Sequence, residues 1–166
     1  MGHQLTKQDM KKIRDEIKHR KLVVRKQALE EVKEARAHGD LSENFEYKAA
    51  KKFKNQNESR IRYLERLLRN AEVYEDHSAE DEVGMNNTVR VYFEDDDEEE
   101  VFKIVTTVRG DSLNNIISIE SPIGKALLGH KTGERVYIPV RDGYGYYVRI
   151  VEVQKTNDES ENIQRF

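Results

Sequence analysis

Two long segments without glycine or proline restrict this chain more than any other feature of its sequence. They cover residues 6 to about 37 and residues 41 to about 75, and both repeat apolar groups at helical spacing. Because only residues 38–40 separate them, the two helices must run antiparallel and side by side. Each apolar stripe is narrow and holds polar members, which favours a two-stranded coiled coil over a bundle core.

The spacing also predicts which residues form the seam between the two helices. Thr6, with Asp9 three residues later, is a candidate N-terminal cap of the first helix. The expected seam of the first helix is Met10, Ile13, Ile17, Val24, Ala28, Val32 and Ala35. The expected seam of the second helix is Phe45, Ala49, Phe53, Gln56, Arg60, Tyr63, Leu64, Leu67, Ala71 and Tyr74.

After residue 76 the pattern changes to short β-rich runs, which predicts a second domain of a different class. Asp142-Gly143 is a two-residue hairpin signal, and Ser121-Pro122 opens a short helix that Gly129 closes. These signals predict a small α+β domain with an antiparallel sheet and one short helix. The expected strands are residues 88–93, 101–108, 116–119, 135–140 and 146–153, with a solvated acidic loop at 95–100.

We therefore divide the chain into a coiled-coil hairpin (1–76), a connector (77–85), a globular domain (86–155) and a polar tail (156–166) that we expect to fray. Charge supports two domains with different partners. Residues 1–75 hold 19 basic and 13 acidic side chains, a net charge of +6. Residues 76–166 hold 10 basic and 19 acidic side chains, a net charge of −9.

Composition excludes several classes of function. The chain has no cysteine, which rules out disulfides, cysteine-ligated metals and a thiol nucleophile. We find no convincing Ser/His/Asp set, phosphate loop or histidine cluster, so we expect no independent active site. No apolar run is long enough to span a membrane, and we expect a soluble, cytoplasmic protein with no membrane partner.

The turn between the helices reads GDLSENFEY, residues 39–47, and it admits two interpretations. In the structural one, Gly39 ends the first helix, Asp40 caps the second, and Glu43 completes a capping box. In the functional one, Asp40 and Glu43 share a cation at the apex of the hairpin. Because Mg²⁺ prefers six oxygen ligands, two carboxylates form only half a site, and a partner would supply the remaining ligands.

Two motifs resemble the Gre transcript cleavage factors of bacterial RNA polymerase, GreA and GreB. They are ARAHGDLSENFEYKAAK, residues 35–51, and ISIESPIGKALLGHKTGERVYI, residues 117–138. The resemblance covers about residues 6–154. It implies an N-terminal coiled-coil hairpin and a C-terminal FKBP-like domain. The globular domain would dock at the rim of the polymerase secondary channel while the hairpin enters it.

The resemblance also implies roles for individual residues. Asp40 and Glu43 would help to hold the second Mg²⁺ in the polymerase active centre, where the polymerase cleaves the 3′ segment of a backtracked RNA. The free protein would bind no metal and be a monomer. Tip support would come from Leu41, Ser42, Asn44 and Tyr47, RNA contacts from Arg36, Lys48, Lys51 and Lys52, and polymerase docking from Ser121, Pro122, Ile123 and Gly129.

Some features leave alternatives open. Phe45 and Tyr47 could stack on a base, although we expect Phe45 to pack across the hairpin. The acidic loop and the absence of a proline in the first helix blur the choice between GreA and GreB, and the moderate basic patch favours GreA. A Gre-like inhibitor that blocks the channel is one rival interpretation. A coiled-coil adaptor without a catalytic role is another.

Overall fold

The computed structural model describes residues 3–39 and 44–165, which divide into two compact units. Unit 1 comprises Met10–Ala71, and unit 2 comprises His3–Asp9 together with Glu72–Arg165. None of the helices in this described part of the chain is long and apolar enough to cross a membrane. The prediction of an α+β protein with an N-terminal helical hairpin is confirmed.

The first helical segment consists of α1 (Lys7–His19), a π-helical turn (Arg20–Val24) and α2 (Arg25–Arg36). The predicted cap at its start is confirmed. The backbone N–H of Asp9 donates to Thr6 Oγ1 at 3.0 Å, and the N–H of Thr6 donates to Asp9 Oδ2 at 3.2 Å. This reciprocal pair satisfies two amide groups that the start of a helix leaves without backbone partners.

The second helix, α3, spans Phe45–Arg69 and is shorter than the sequence predicted at both ends. Asn70 is its C-cap, and the chain then forms strand β2 (Ala71–Val73). That strand pairs with β1 (His3–Leu5) in a two-stranded sheet that the periodicity did not reveal. A local pattern cannot show such a pair, because its two strands lie more than sixty residues apart in the sequence.

The apolar seam of the hairpin is confirmed on the first segment, whereas on the second it is confirmed at Leu64 and Leu67 and displaced in the part nearer the tip. Met10, Ile13, Ala28, Val32 and Ala35 are buried, while Ile17 and Val24 are half-buried. On α3 the buried residues lie one position after the predicted Ala49, Gln56 and Arg60. This displacement buries an isoleucine and leaves an arginine at the border of the seam. The buried residues of α3 are Ala50, Asn57, Ile61, Leu64 and Leu67.

Charged pairs reinforce the seam between the two helices of unit 1. Arg60 Nε donates to Glu16 Oε2 at 2.8 Å, and Arg25 donates to both carboxylate oxygens of Glu58 at 2.8 and 3.0 Å. Burial raises the pKa of Glu16, but hydrogen bonds from Arg60 and Arg20 outweigh that effect, and the pKa is lowered. The carboxylate of Glu16 therefore stays ionised between its two arginines.

A buried amide joins α3 to the π-helical turn. The side chain of Asn57 is 2% exposed, and its Oδ1 accepts a hydrogen bond from Arg20 Nη1 at 3.0 Å. Its Nδ2 donates to the backbone oxygen of Arg20 at 3.3 Å. The N–H of Arg25 also donates to this oxygen, which is the wider i+5 spacing of a π-turn. The backbone oxygen of Arg20 thus accepts hydrogen bonds from both helical segments of the hairpin.

Unit 2 is built on a five-stranded sheet whose strand order is β5-β4-β3-β7-β6. The predicted antiparallel sheet needs one correction, because β4 and β5 pair in parallel. The other neighbours are antiparallel, and β3 and β7 contain a register shift between Arg90 and Val91. The strands are β3 (Thr88–Phe93), β4 (Glu98–Val105), β5 (Ile116–Ser118), β6 (Arg135–Arg141) and β7 (Tyr144–Gln154).

The predicted turns of unit 2 are largely confirmed. Gly143 has a φ of 74° in the two-residue turn between β6 and β7, a conformation that glycine adopts without strain. Helix α4 (Pro122–Leu127) begins at the N-cap Ser121, as expected. The acidic run at 95–100 is only half a loop, because β4 already starts at Glu98.

The core of unit 2 lies on one face of this sheet, where α4 also packs. Val89 and Val91 on β3 alternate with exposed or half-exposed neighbours, which is the pattern of a sheet buried on one side. The opposite face of the sheet remains open to solvent in part. The buried core residues are Val83, Met85, Val89, Val91, Phe102, Ile104, Ile119, Leu127, Val136, Ile138, Val148 and Ile150.

The tail after β7 is not frayed, so that expectation is wrong. The guanidinium of Arg109, 1% exposed, bonds Asp9 Oδ1 at 2.6 Å, Glu161 Oε1 at 2.9 Å and Glu159 Oε1 at 3.1 Å. Because an arginine buried without partners is very unfavourable, the acidic residues of the tail must stay in place. Ile163 is buried as well.

This ionic cluster makes the stability of unit 2 sensitive to acid. Burial raises the pKa of Glu161, but hydrogen bonds from Lys103 and Arg109 outweigh it and lower the pKa. A carboxyl whose pKa is lower in the folded than in the unfolded state stabilises the fold above its unfolded pKa, and this contribution is lost as the pH falls through the folded value.

We therefore predict that Glu161→Gln lowers the free energy of unfolding of unit 2 by about 1–3 kcal/mol at neutral pH, since charged hydrogen bonds are lost. The difference from the unaltered protein should shrink as the pH drops below the unfolded glutamate pKa of about 4.3. Urea unfolding across that range measures both. Glu120→Gln, an exposed glutamate, is the control; equal acid sensitivity of all three proteins would contradict the prediction.

Candidate functional site

The end of the hairpin carries the candidate functional residues. The first helical segment stops at Arg36, and Gly39 follows with a φ of 118°, which permits the chain to leave the helix. Asp40, Leu41, Ser42 and Glu43 lie outside the described residues. The structure therefore defines the two helix ends that flank this segment.

Asn44 is the N-cap of α3, so the predicted capping by Asp40 and Glu43 is wrong. Asn44 Oδ1 accepts a hydrogen bond from the N–H of Tyr47 at 3.0 Å. Its Nδ2 donates to the backbone oxygen of Ala35 at 2.7 Å and so joins the ends of both helices. Asparagine and aspartate cap helices equally well, so the residue type at Asp40 did not reveal that α3 begins four residues later.

Tyr47 packs inside the hairpin end and also touches cations. Its ring lies against Val32, Ala35 and Ala50. The Arg36 guanidinium carbon is 5.5 Å from the ring centroid. A hydrogen bond from the Arg36 side chain, aided by the charges of Arg36, Lys51 and Lys54, lowers the pKa of the Tyr47 hydroxyl. Tyr47 thus packs on the seam at the hairpin end and orients a basic side chain, and its role in tip support stays a prediction.

Phe45 does not pack across the hairpin, contrary to our expectation. Its side chain is 81% exposed, and the ammonium of Lys48 lies 5.7 Å from its ring centroid. The displacement of the α3 seam explains this result, because the burial of Ala50 and Asn57 turns Phe45 outward. An exposed aromatic ring beside a lysine is available for stacking on a base.

The four predicted RNA contacts Arg36, Lys48, Lys51 and Lys52 are all exposed. Lys48, Lys51 and Lys52 line one shallow groove on α3. Within residues 3–39 and 44–165, no carboxylate lies within 4.0 Å of these cations. Their charges are therefore available to an anionic ligand. We name Arg36, Lys48, Lys51 and Lys52 the basic face.

A second groove near the hairpin end is acidic, which the sequence analysis did not identify. Glu31, Glu34 and Glu46 line it together with His38, above the alanines of the seam. His38 Nδ1 lies 3.2 Å from Glu46 Oε2. The sequence signal that could have identified this groove is its set of glutamates at helical spacing. In the described part of the chain, no group of three or more His, Asp or Glu side chains could hold a metal ion.

The predicted docking residues cluster around α4. Ser121 Oγ donates to the backbone oxygen of Ser118 at 2.7 Å and accepts from the N–H of Gly124 at 3.1 Å. A Cβ at Gly124 would lie 2.1 Å from the Ser118 oxygen, so only glycine fits there. Pro122 and Gly129 are exposed, whereas Ser121 and Ile123 are half-buried.

Comparison with protein families identifies both units. A family described as transcription elongation factor, N-terminal, matches residues 3–73. A family described as transcription elongation factor, GreA/GreB, C-terminal, matches residues 78–155.

Individual relatives agree with this assignment. The transcription elongation factor GreA of Thermoanaerobacter pseudethanolicus is 43% identical over 152 residues, which is 91% of this chain and 96% of the relative. GreA of Chloroherpeton thalassium is 45% identical over 144 residues, 86% of this chain and 91% of the relative.

Two solved structures are also similar. The GreA/GreB factor of Nitrosomonas europaea is 37% identical with a TM-score of 0.40, covering 57% of this chain and 78% of that one. The transcription factor Gfh1 is 26% identical with a TM-score of 0.46, covering 92% and 97%.

We predict that Asn44→Ala destabilises the hairpin by about 1 kcal/mol, since an N-cap is lost. The loss of the bond to Ala35 should add to this effect. Thermal melting followed by helical circular dichroism measures the change. Asn55→Ala, an exposed asparagine within α3, is the matched control. Equal melting temperatures for the two variants would show that Asn44 does not cap the helix in solution.

Proposed function

Because this chain belongs to the GreA/GreB family of transcription elongation factors, we propose that it stimulates the cleavage of backtracked RNA by bacterial RNA polymerase. In this proposal the hairpin enters the secondary channel, and Asp40 and Glu43 reach the active centre. The cleavage activity belongs to the polymerase, and the chain has no independent active site. The protein would act in the cytoplasm, as a monomer when free.

The observation that carries the proposal is the capping of α3 by Asn44. The structural interpretation of the tip assigned Asp40 and Glu43 to the cap. Since Asn44 fills that role, the fold of α3 does not require either carboxylate. An N-cap supplied by Asn44 is consistent with a function of Asp40 and Glu43 outside the chain.

The chemistry of the donor set fits a shared magnesium ion. Asp40 and Glu43 offer hard carboxylate oxygens, which Mg²⁺ prefers, but too few of them for an all-protein site. A second Mg²⁺ in the polymerase active centre would lower the pKa of the attacking water and stabilise developing charge. The role of this chain is to bring two negative oxygens to an ion that the polymerase holds weakly.

The basic face supports contact with the extruded RNA. Its lysines and Arg36 are exposed, and Phe45 projects beside Lys48. Cations of this kind bind phosphates without sequence preference, and an aromatic ring can stack on a base. This arrangement would hold the 3′ segment of a backtracked transcript close to the two carboxylates. Docking through Ser121, Pro122, Ile123 and Gly129 at the channel rim completes the proposal.

We predict that Asp40→Asn and Glu43→Gln each reduce RNA cleavage in a stalled elongation complex at least tenfold, because a carboxylate that assists the metal is lost. Thermal stability should change by less than the roughly 1 kcal/mol that a lost N-cap costs. The measurement is the rate of transcript shortening with saturating factor. High Mg²⁺ concentration should rescue part of the activity.

Glu46→Gln is the matched control, because it removes a carboxylate from the first turn of α3 and leaves Asp40 and Glu43 unchanged. It should cleave like the unaltered protein. If the unaltered protein binds polymerase and slows synthesis without any cleavage, the rival inhibitor is correct. If both acidic variants cleave at the full rate, the tip carboxylates have no role, which would favour the adaptor.

A further inference from the structure

The outer face of the five-stranded sheet, opposite α4 and the core, exposes several large apolar side chains. Four of the large apolar side chains that are exposed in residues 3–39 and 44–165 lie at the outward positions of strands in this sheet. Contiguous exposed apolar surface with a polar border marks interaction sites. These four residues are Val101, Tyr137, Tyr147 and Val151.

Register places aromatic and basic side chains together on this face. Tyr137 on β6 lies opposite Tyr147 on β7, and Arg135 lies opposite Arg149. Arg149 in turn lies opposite Tyr92 on β3. Because residues paired across strands share a face, as do residues two apart in one strand, all five form one surface. We name these five residues the outer-face patch.

The patch is ordered by its own contacts. The rings of Tyr137 and Tyr147 have centroids 5.1 Å apart, and the Arg135 guanidinium carbon lies 3.6 Å from the Tyr147 centroid. Yet Tyr137 is 44% exposed and Tyr147 is 41% exposed. Side chains that are already ordered lose little entropy on binding, and tyrosine and arginine are the residue types that dominate binding energy at protein interfaces.

Charge argues against a nucleic acid on this surface. Arg135 is 2.8 Å from Glu94, and its hydrogen bond, aided by its charge, lowers the pKa of that glutamate. Arg90, nearby on the same face, is 3.6 Å from Glu152. Arg90 and Arg135 are thus each paired with a carboxylate within the chain, in contrast to the cations of the basic face of the hairpin.

The border of the patch is acidic. Tyr92 donates to Asp97 Oδ1 at 2.6 Å, in the turn that also holds Asp95 and Asp96. Within the described residues, no cation lies within 4.0 Å of Asp95, Asp96 or Glu99. A phosphate backbone would be repelled by this border. A second copy of the chain docked through the same part would be repelled too, since residues 76–166 carry a net charge of −9.

We propose that the outer-face patch, with its acidic border, docks a lysine- and arginine-rich protein surface of RNA polymerase. This inference rests on the proposed function for the identity of the partner. It adds a contact to the one expected around α4, because α4 packs on the other face of the sheet. The tyrosines supply buried area, and Asp95, Asp96 and Glu99 select a basic partner.

The test measures the dissociation constant of the full-length protein for purified bacterial core RNA polymerase by fluorescence anisotropy. Tyr137→Ser with Tyr147→Ser should weaken binding about tenfold or more, as the loss of an interface hot spot does. Asp95→Asn with Asp96→Asn should weaken binding less and reduce its dependence on salt. The second pair is exposed in a turn and does not endanger folding.

Leu113→Ser is the matched control, because Leu113 is 95% exposed and lies outside the sheet. Its dissociation constant should equal that of the unaltered protein. Polymerase binding that is unchanged in the tyrosine variant overturns the inference. If the tyrosine variant binds polymerase more weakly but the aspartate variant keeps the affinity and salt dependence of the unaltered protein, the inference that the partner surface is basic is overturned.

Further measurements distinguish polymerase from other binding partners of the patch, and they test the proposed function separately. Tyrosine-dependent binding of a single-stranded RNA oligonucleotide, or tyrosine-dependent self-association in sedimentation, would overturn the assignment in favour of RNA or a second copy. If the unaltered protein binds polymerase but stimulates no cleavage, the proposed function fails while the dissociation constants still decide the patch. If it does not bind polymerase, both proposals fail.

Discussion

The hydrogen bonds between Asn57 and Arg20 are the interaction on which the hairpin depends. Its seam is rich in alanine, with Ala28, Ala35 and Ala50 buried, and small residues of this kind tolerate sliding. A slide by one helical turn, about 5.4 Å, would leave a buried amide and a buried carbonyl without partners. Such a loss costs about 1–3 kcal/mol for each group. The register that these bonds define is also the register that lets Asn44 reach the oxygen of Ala35 at the hairpin end.

Features that rest on short-range chemistry could be predicted from the sequence. The capping pair of Thr6 and Asp9, the helix from Ser121 and the turn at Gly143 all depend on residues within a few positions of each other. Features that depend on distant residues could not. The tail looks polar and free until Arg109, some fifty residues away, is known to be buried and to require Glu159 and Glu161.

The same distinction between short-range and long-range interactions applies to the predictions for the candidate site. Spacing identified the carboxylates of the turn and left two interpretations open, of which capping is wrong, because the presence of an aspartate does not fix where the helix begins. The predicted seam of α3 was correct at Leu64 and Leu67 but one residue out at Ala49, Gln56 and Arg60. Ala49 and Ala50 are equivalent in size, and only Ile61 in place of Arg60 decides between the two registers. That single displacement also explains why Phe45 is exposed beside Lys48.

Arginine and tyrosine occur together at two places in this chain, and their neighbours give the two places opposite chemistry. At the hairpin end, Arg36 and Tyr47 stand among lysines that no described carboxylate neutralises, so the surface suits an anion. On the sheet, Arg135 and Tyr147 stand beside Glu94, so the cation orders a ring and leaves little net charge. Residue type alone would assign nucleic acid to both surfaces. The carboxylates within reach of each arginine separate them, which is why the partner of a surface has to be inferred from its ion pairs as well as from its composition.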